Sequence, residues 1–253
     1  MRIPADEPTY LSRLFHLNSE PWLNEEAYRG AYYQEFGSHP DAQRTPLPAQ
    51  SLQGVTAFAA RRHSVRSFAR RSLPLSTLGA LLRAGYGIVE LAPMPLGGAG
   101  RFLRRSVPSA GGLYPLELYL LTQGVEGAPD GVHHLDVLGE ALECLRLGDW
   151  RAAAAEAFYT WPYMAEANAV VCFAAVFDRC QAKYGPRGYR YILLEAGHAA
   201  QNLCLAAAEH GLGTLCMGGY RDTMVNAMLG LAPEREGVVY TVALGWPAEG
   251  PPR

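Results

Sequence analysis

One run of residues constrains this chain more than any other: Lys183 to Asn202, KYGPRGYRYILLEAGHAAQN. It opens on a lysine beside a tyrosine, and Gly185, Pro186 and Gly188 then break the backbone. Beyond them Ile192, Ala196, Ala199, Ala200, Leu203 and Ala207 recur with the period of a helix face. Much of the remaining helix surface is also Leu or Ala, as expected of a helix buried on several sides. Gly211, beside His210, supplies its stop. Glu195, His198 and Asn202 form the one polar stripe. The stretch reads as chemistry mounted on a rigid support, with the basic, reactive segment just ahead of a core helix.

Composition agrees with such a core. The chain has 253 residues, enough for one large domain or two small ones, with 49% hydrophobic and 18% charged residues. A net charge of -2 argues against nucleic acid as the main partner. No apolar run approaches the length needed to span a membrane. MRIPADEPTYLSRLF lacks the apolar centre of a secretion signal, so a cytoplasmic location is expected. The cysteines (Cys144, Cys172, Cys180, Cys204, Cys216) are scattered, without a C-x-x-C pair, so neither a zinc site nor a disulfide framework is indicated. Four of them lie in apolar surroundings and read as core thiols.

Residues 1–50 are rich in aromatics (Tyr10, Phe15, Trp22, Tyr28, Tyr32, Tyr33, Phe36) and are expected to dock on the body, residues 51–253, or on a partner subunit. SHPDAQRTPLPAQ is the boundary between them. RRHSVRSF follows, where Arg62 and Arg66 could fork onto a phosphate while Ser64 donates a further hydrogen bond. Ser76 is expected to cap a helix over LSTLGALLRAGYG, and residues 92–101 to form a loop. The GGAG in that loop is no dinucleotide fingerprint. PSAGGLYPLELYLLT, Pro108 to Thr122, is a turn feeding a strand, but with more glycine than a plain turn needs. Gly111-Gly112 lets backbone approach a flat ligand closely.

Further on, GVEGAPDGVHHLDVLGEALECLRLGD reads as a hairpin followed by a short helix. His133 and His134 are adjacent on a strand and point to opposite faces, so they do not chelate a metal together. Ala167 to Asp178 is a buried strand leading to Arg179 and the lysine–tyrosine pair. Thr214 to Tyr220 is a short strand ending in Gly218-Gly219, then come a helix over TMVNAMLG and a last strand, Val238 to Pro247. Helices and strands alternate without a regular βαβ repeat, which favours an α+β fold. Glu195-x-x-His198 is half of a di-iron motif with no second copy, so both residues read as internal hydrogen bonders and no metal is expected. No G-x-S-x-G is present, so a serine hydrolase is rejected.

K-Y-x-x-R-x-Y-R-Y-x-L-L-E-A-G-H-x-x-Q-N resembles the SagB/McbC-type azoline dehydrogenases, a branch of the nitroreductase-like flavoproteins. The resemblance implies a central mixed sheet flanked by helices. It also implies a homodimer with exchanged segments and FMN in the cleft between subunits. R-x-S-x-R near the start of the body matches the FMN-phosphate site, assigning Arg62, His63, Ser64 and Arg66. Pro108, Ser109, Gly111 and Gly112 match the loop along the flavin ring, and Gly218 and Gly219 match glycines set against it. Arg253 matches a basic residue that helps hold the phosphate. Ordinary nitroreductases tend to carry asparagine where Gly112 stands and glutamine where Tyr114 stands, a departure that favours the azoline branch. Lys183 and Tyr184 match the catalytic pair, Lys183 as general base with its pKa lowered by burial and by Arg179, Arg187 and Arg190.

The function implied is FMN-dependent dehydrogenation of thiazoline or oxazoline rings in a peptide or carrier-bound natural product, alongside a cyclodehydratase or synthetase partner. Two alternatives stay open: an NAD(P)H-dependent nitro or quinone reductase of the same fold, and a non-catalytic scaffold in a biosynthetic complex.

Overall fold

The structure, a computed structural model, describes residues 10–19, 53–93, 101–159 and 162–248. The first elements are α1 (Tyr10–Asn18), α2 (Val55–Arg61), β1 (Leu73–Pro74), α3 (Leu75–Tyr86), β2 (Ile88–Pro93) and β3 (Arg101–Arg105). Then come β4 (Leu116–Thr122), β5 (Val125–Glu126), β6 (Gly131–Asp136), β7 (Ala141–Leu147) and α4 (Arg151–Ala157). The chain continues through β8 (Ala169–Val176), α5 (Phe177–Tyr184), α6 (Arg187–Glu209), β9 (Gly213–Met217), α7 (Asp222–Leu229) and β10 (Glu236–Gly245).

The apolar run AVVCFAAV becomes β8, buried along almost its whole length. It can be so because strands flank it on both edges and helices cover both faces. The sheet order is β7-β6-β4-β8-β10-β9. One face packs Leu78, Leu81, Leu82 and Tyr86 of α3 and Ile192, Ala196, Ala199 and Leu203 of α6 against Leu116, Leu118, Leu120, Val171 and Phe173. The other face packs Ala154 and Ala157 of α4 and Val225 and Leu229 of α7 against Leu121, Val170, Cys172 and Ala243. Alternation in β4 thus sends Leu116, Leu118 and Leu120 to one layer and Leu121 to the other. Each fully buried leucine or phenylalanine contributes about 1.5–3 kcal/mol relative to exposure. The result is an α+β, three-layer body, as expected. The expected mixed sheet is not what forms: every pairing within the six described strands is antiparallel. Parallel pairing appears only at the margins, between β1 and β5 and at the Ser64–Thr214 bridge.

Three local expectations need correction. GEALECLRL favours a helix by composition, yet Ala141–Leu147 is strand β7, pairing with β6 from Asp136↔Ala141 to Gly131↔Leu147. Its side chains are almost all exposed, so a helix there would have had no apolar stripe to bury. Helix α3 starts at Leu75 with Pro74 at its cap, not Ser76. The segment read as a loop over 92–101 is partly strand: Ala92 pairs with Phe102 and Pro93 with Arg101.

Helix α1 lies against α5. Arg13 reaches Asp178 at 2.8 Å, Gln181 donates to the Ser12 hydroxyl at 2.5 Å, and the His16 ring meets Phe177 edge-on at 5.1 Å. Burial holds the His16 imidazole below its ordinary pKa. Of the other aromatics expected to dock, Trp22, Tyr28, Tyr32, Tyr33 and Phe36 lie outside the described residues. Among the described residues no helix is long and apolar enough to cross a membrane.

Candidate active site

Lys183 and Tyr184 are not in a loop; they form the last turn of α5. Gly185 then turns the chain at φ +56°. Gly188 does not break the backbone but sits inside α6, buried, where a Cβ would stand 3.0 Å from the Cys180 carbonyl carbon and the Gln181 Cα. A side chain there would press on the α5 backbone, so glycine suits the close approach of α6 to α5. The pair faces the segment Pro108 to Tyr114, which makes a short 3-10 turn over Ala110–Gly112. Gly111 there has φ +64°. A Cβ built on it would lie 2.6 Å from the Tyr184 hydroxyl and 2.8 Å from Lys183 Nζ. The glycine loop and the lysine–tyrosine pair therefore meet at Gly111. The Tyr184 ring is held edge-on by Tyr191 at 5.1 Å, and Lys183 Nζ stands 5.3 Å from the Tyr184 ring centre.

Beneath the loop runs a buried polar chain that motif reading missed. The Tyr114 backbone N–H donates to Ser109 Oγ at 2.9 Å. The Ser109 hydroxyl in turn hydrogen-bonds the Glu195 carboxylate. From the other side the Tyr86 hydroxyl donates to Glu195 Oε1 at 2.6 Å and accepts from the Leu116 N–H at 3.3 Å. The Arg105 guanidinium lies over the Tyr86 ring at 4.4 Å and the Tyr114 ring at 5.2 Å. Burial pushes the Glu195 carboxyl above its usual pKa, against the opposing hydrogen bonds of Ser109 and Tyr86 and the charge of Arg105. Glu195 is thus an internal hydrogen bonder, pinning the glycine loop to α6. His198, expected to be another, is exposed.

The loop lines a concavity of about 710 Å³ that includes Pro108, Ser109, Gly111, Gly112 and Arg105. Arg105 Nη1 and Ser106 Oγ, both among its lining residues, are buried without a hydrogen-bond partner. A second cavity of about 520 Å³, between α3 and the β6–β7 hairpin, is lined mainly by apolar side chains and contains neither Lys183 nor Tyr184.

The predicted phosphate residues gather elsewhere. Arg62 follows α2, Ser64 bridges Thr214 of β9, and Val65 N–H donates to the Thr214 carbonyl at 2.9 Å. His63 Nδ1 turns back to the Arg61 carbonyl at 3.1 Å, and Arg66 lies half-buried near Tyr163. Gly218 and Gly219 follow the end of β9, and nothing stands within 4 Å of a Cβ on Gly218. The predicted residues thus form two groups, one in the segment after α2 that bridges β9, with the glycines beyond β9, and one at the end of α5. Arg253 lies outside the described residues. Arg179, expected to act on Lys183, is ion-paired with Glu117 at 2.5 Å, which offsets its charge. His134 donates to Glu143 and Glu117 at 2.8 and 3.1 Å, while His133 is buried and turned to the Pro129 carbonyl. Among the described residues no three His, Cys, Asp or Glu side chains form a group that could hold a metal ion.

Several known proteins are similar to this chain in sequence or fold. The protein MJ1384 of Methanocaldococcus jannaschii, named as a nitroreductase, is 33% identical over 171 residues, 67% of this chain and 80% of that protein. The microcin B17-processing protein McbC of Escherichia coli is 31% identical over 137 residues, 51% of this chain; the match spans about half of McbC, 49%. A chain of the E. coli microcin synthetase McbBCD complex with truncated pro-MccB17 bound superposes with a TM-score of 0.67 at 22% identity, covering 96% of this chain and 94% of that one. A nitroreductase from Desulfovibrio desulfuricans in complex with FMN gives a TM-score of 0.51 at 17% identity, covering 79% and 89%. At these identities the two structures speak to the fold alone. The model of the nitroreductase family matches residues 59–246, from the end of α2 to just beyond β10, and the chain belongs to that family of oxidoreductases.

Proposed function

We propose that the chain is an FMN-dependent dehydrogenase that converts thiazoline or oxazoline rings of a peptide or carrier-bound natural product into thiazoles or oxazoles. The observation that carries this reading is the meeting of Lys183 Nζ and the Tyr184 hydroxyl at Gly111. Aromatising an azoline removes a proton and a hydride from the ring. FMN, when bound, supplies the hydride acceptor. The proton is left to the protein, and Lys183 Nζ, as the neutral amine, accepts it. The Tyr184 hydroxyl beside it positions the amine and relays the proton. Lys183 is exposed in the single chain, so the cofactor and a second subunit would provide the cover that excludes water.

The residues present fit the cofactor. Arg62 and Arg66 with Ser64 and His63 would hold its phosphate, since two guanidiniums and a hydroxyl are the donors such a group takes. Gly111 and Gly112, with Pro108 and Ser109, would leave a clear face for the flat ring, and Gly218 and Gly219 a second. Arg105 Nη1 and Ser106 Oγ are donors without partners, the kind of buried group that a ring or substrate carbonyl satisfies. Arg253 is proposed as a further phosphate ligand. The homology to McbC supports a peptide substrate and a synthetase partner. Leu193 and Leu194 on the outer stripe of α6, and Phe15 on α1, are exposed in the single chain and suit a homodimer interface with exchanged segments.

The reading is tested by titrating the protein with FMN and adding a thiazoline peptide. Flavin uptake and loss of two hydrogens from the peptide by mass are expected. Protein that takes up no flavin, or that reduces a nitroarene with NAD(P)H while leaving the azoline intact, would overturn it.

A further inference from the structure

Two cysteines that look unrelated in sequence lie together in the fold. Cys204 sits on α6 and Cys216 on β9, and their Sγ atoms are 3.4 Å apart. A disulfide needs about 2.05 Å, so the two sulfurs are in contact but not bonded. The two groups differ in character. Cys204 keeps its proton: its hydrogen bond to Cys216 and its burial hold it high. Cys216 is pulled the other way, towards the thiolate, by the Cys204 hydrogen bond, with Tyr240 and the Arg62 charge assisting against burial. Access exists as well: Cys216 is partly exposed, and a cavity of about 140 Å³ lined by Arg62, Val65, Leu212 and Thr214 reaches Cys204. The other described thiols lack this setting. Cys172 is fully buried with its thiol pushed up to about 12, Cys180 is raised by burial, and Cys144 is exposed.

We propose that Cys204 and Cys216 are a reversible dithiol–disulfide site, oxidised by hydroperoxides, that ties α6 to β9. The Cys216 thiolate attacks the peroxide O–O bond, taking one oxygen as sulfenic acid while the other leaves as water with a proton. The Cys204 sulfur then attacks the Cys216 sulfur, and the S–OH group leaves as a second water with the Cys204 proton. Two thiols and one hydrogen peroxide thus give one disulfide and two waters. The proposal does not require the dehydrogenase reading, although Arg62 beside the pair is also one of the proposed phosphate donors.

The test uses the full chain, reduced and then exposed to hydrogen peroxide near stoichiometry, with denaturing alkylation and peptide mass mapping. We expect free thiols to fall from five to three, with one linkage, Cys204 to Cys216, reversed by dithiothreitol. The thermal midpoint of the oxidised protein should rise, and Cys204→Ser should remove that rise while leaving Cys216 trapped as a sulfenic acid that dimedone labels. Peroxide-treated wild-type protein with five free thiols, or with oxidation confined to Cys144, would refute the site without any need for the variant to fold.

Discussion

At Gly111 a methyl group would collide with the Lys183 and Tyr184 side chains at once. The backbone there is also left-handed, which an L-residue adopts at about 1–2 kcal/mol. Gly111→Ala should lower stability by roughly that amount and displace Lys183 and Tyr184 from the loop. Azoline turnover should fall by about tenfold or more, since an ångström of misplacement at a reacting group costs that much and upward. Circular dichroism for the fold and a turnover assay check this; unchanged turnover in a folded variant would separate the loop from the chemistry. The pair was singled out through its resemblance to a family motif, and the structure brings both side chains to Gly111. Glu195 was legible as a polar interruption of that helix. Tyr86 and Arg105 were not: Tyr86 meets Glu195 across 109 residues, and no local period records such a contact. The Cys204–Cys216 pair escaped for a related reason, since its members face each other across a helix end and a turn.

Among the elements, those whose sequence pattern is driven by burial were readable. The strands β4, β8 and β10 and helix α6 carry runs that only a core explains. Strand β7 was not readable, because its exposed side chains leave propensity as the only local signal, and the free edge of β6 decided the outcome. That hairpin has its own charge device. Burial lowers the His134 pKa, but hydrogen bonds from the ring to Glu143 and Glu117 outweigh it and hold the imidazolium. With the folded pKa raised, the stabilisation is fully present below the unfolded value of about 6.5 and is lost as pH rises through the folded value. His134→Gln should therefore cost about 1 kcal/mol near pH 6 and less near pH 8.5, the pair being partly exposed. Urea unfolding of both proteins at the two pH values measures this, and an equal difference at both would exclude the charged ring.

For the whole molecule, the absence of a βαβ rhythm pointed to the α+β class, and the three-layer body follows from β8 needing cover on both faces. The mixed sheet implied by family resemblance was not legible from residues, and the strands pair antiparallel instead. Assembly is the larger-scale expectation. The proposed homodimer would cover the exposed leucines on α6 and Lys183 at the end of α5; light scattering should then give twice the 27.5 kDa chain mass, and a monomer that still holds FMN would remove the shared cleft. The most direct measurement compares FMN-loaded wild type with FMN-loaded Lys183→Ala on one thiazoline peptide, following loss of two hydrogens by mass. The variant should retain its flavin, because the proposed phosphate residues lie in the segment after α2, away from the end of α5, and azole formation should fall by roughly a hundredfold or more, the scale of a lost general base. Full activity in that variant would contradict the role of Lys183 in taking the proton.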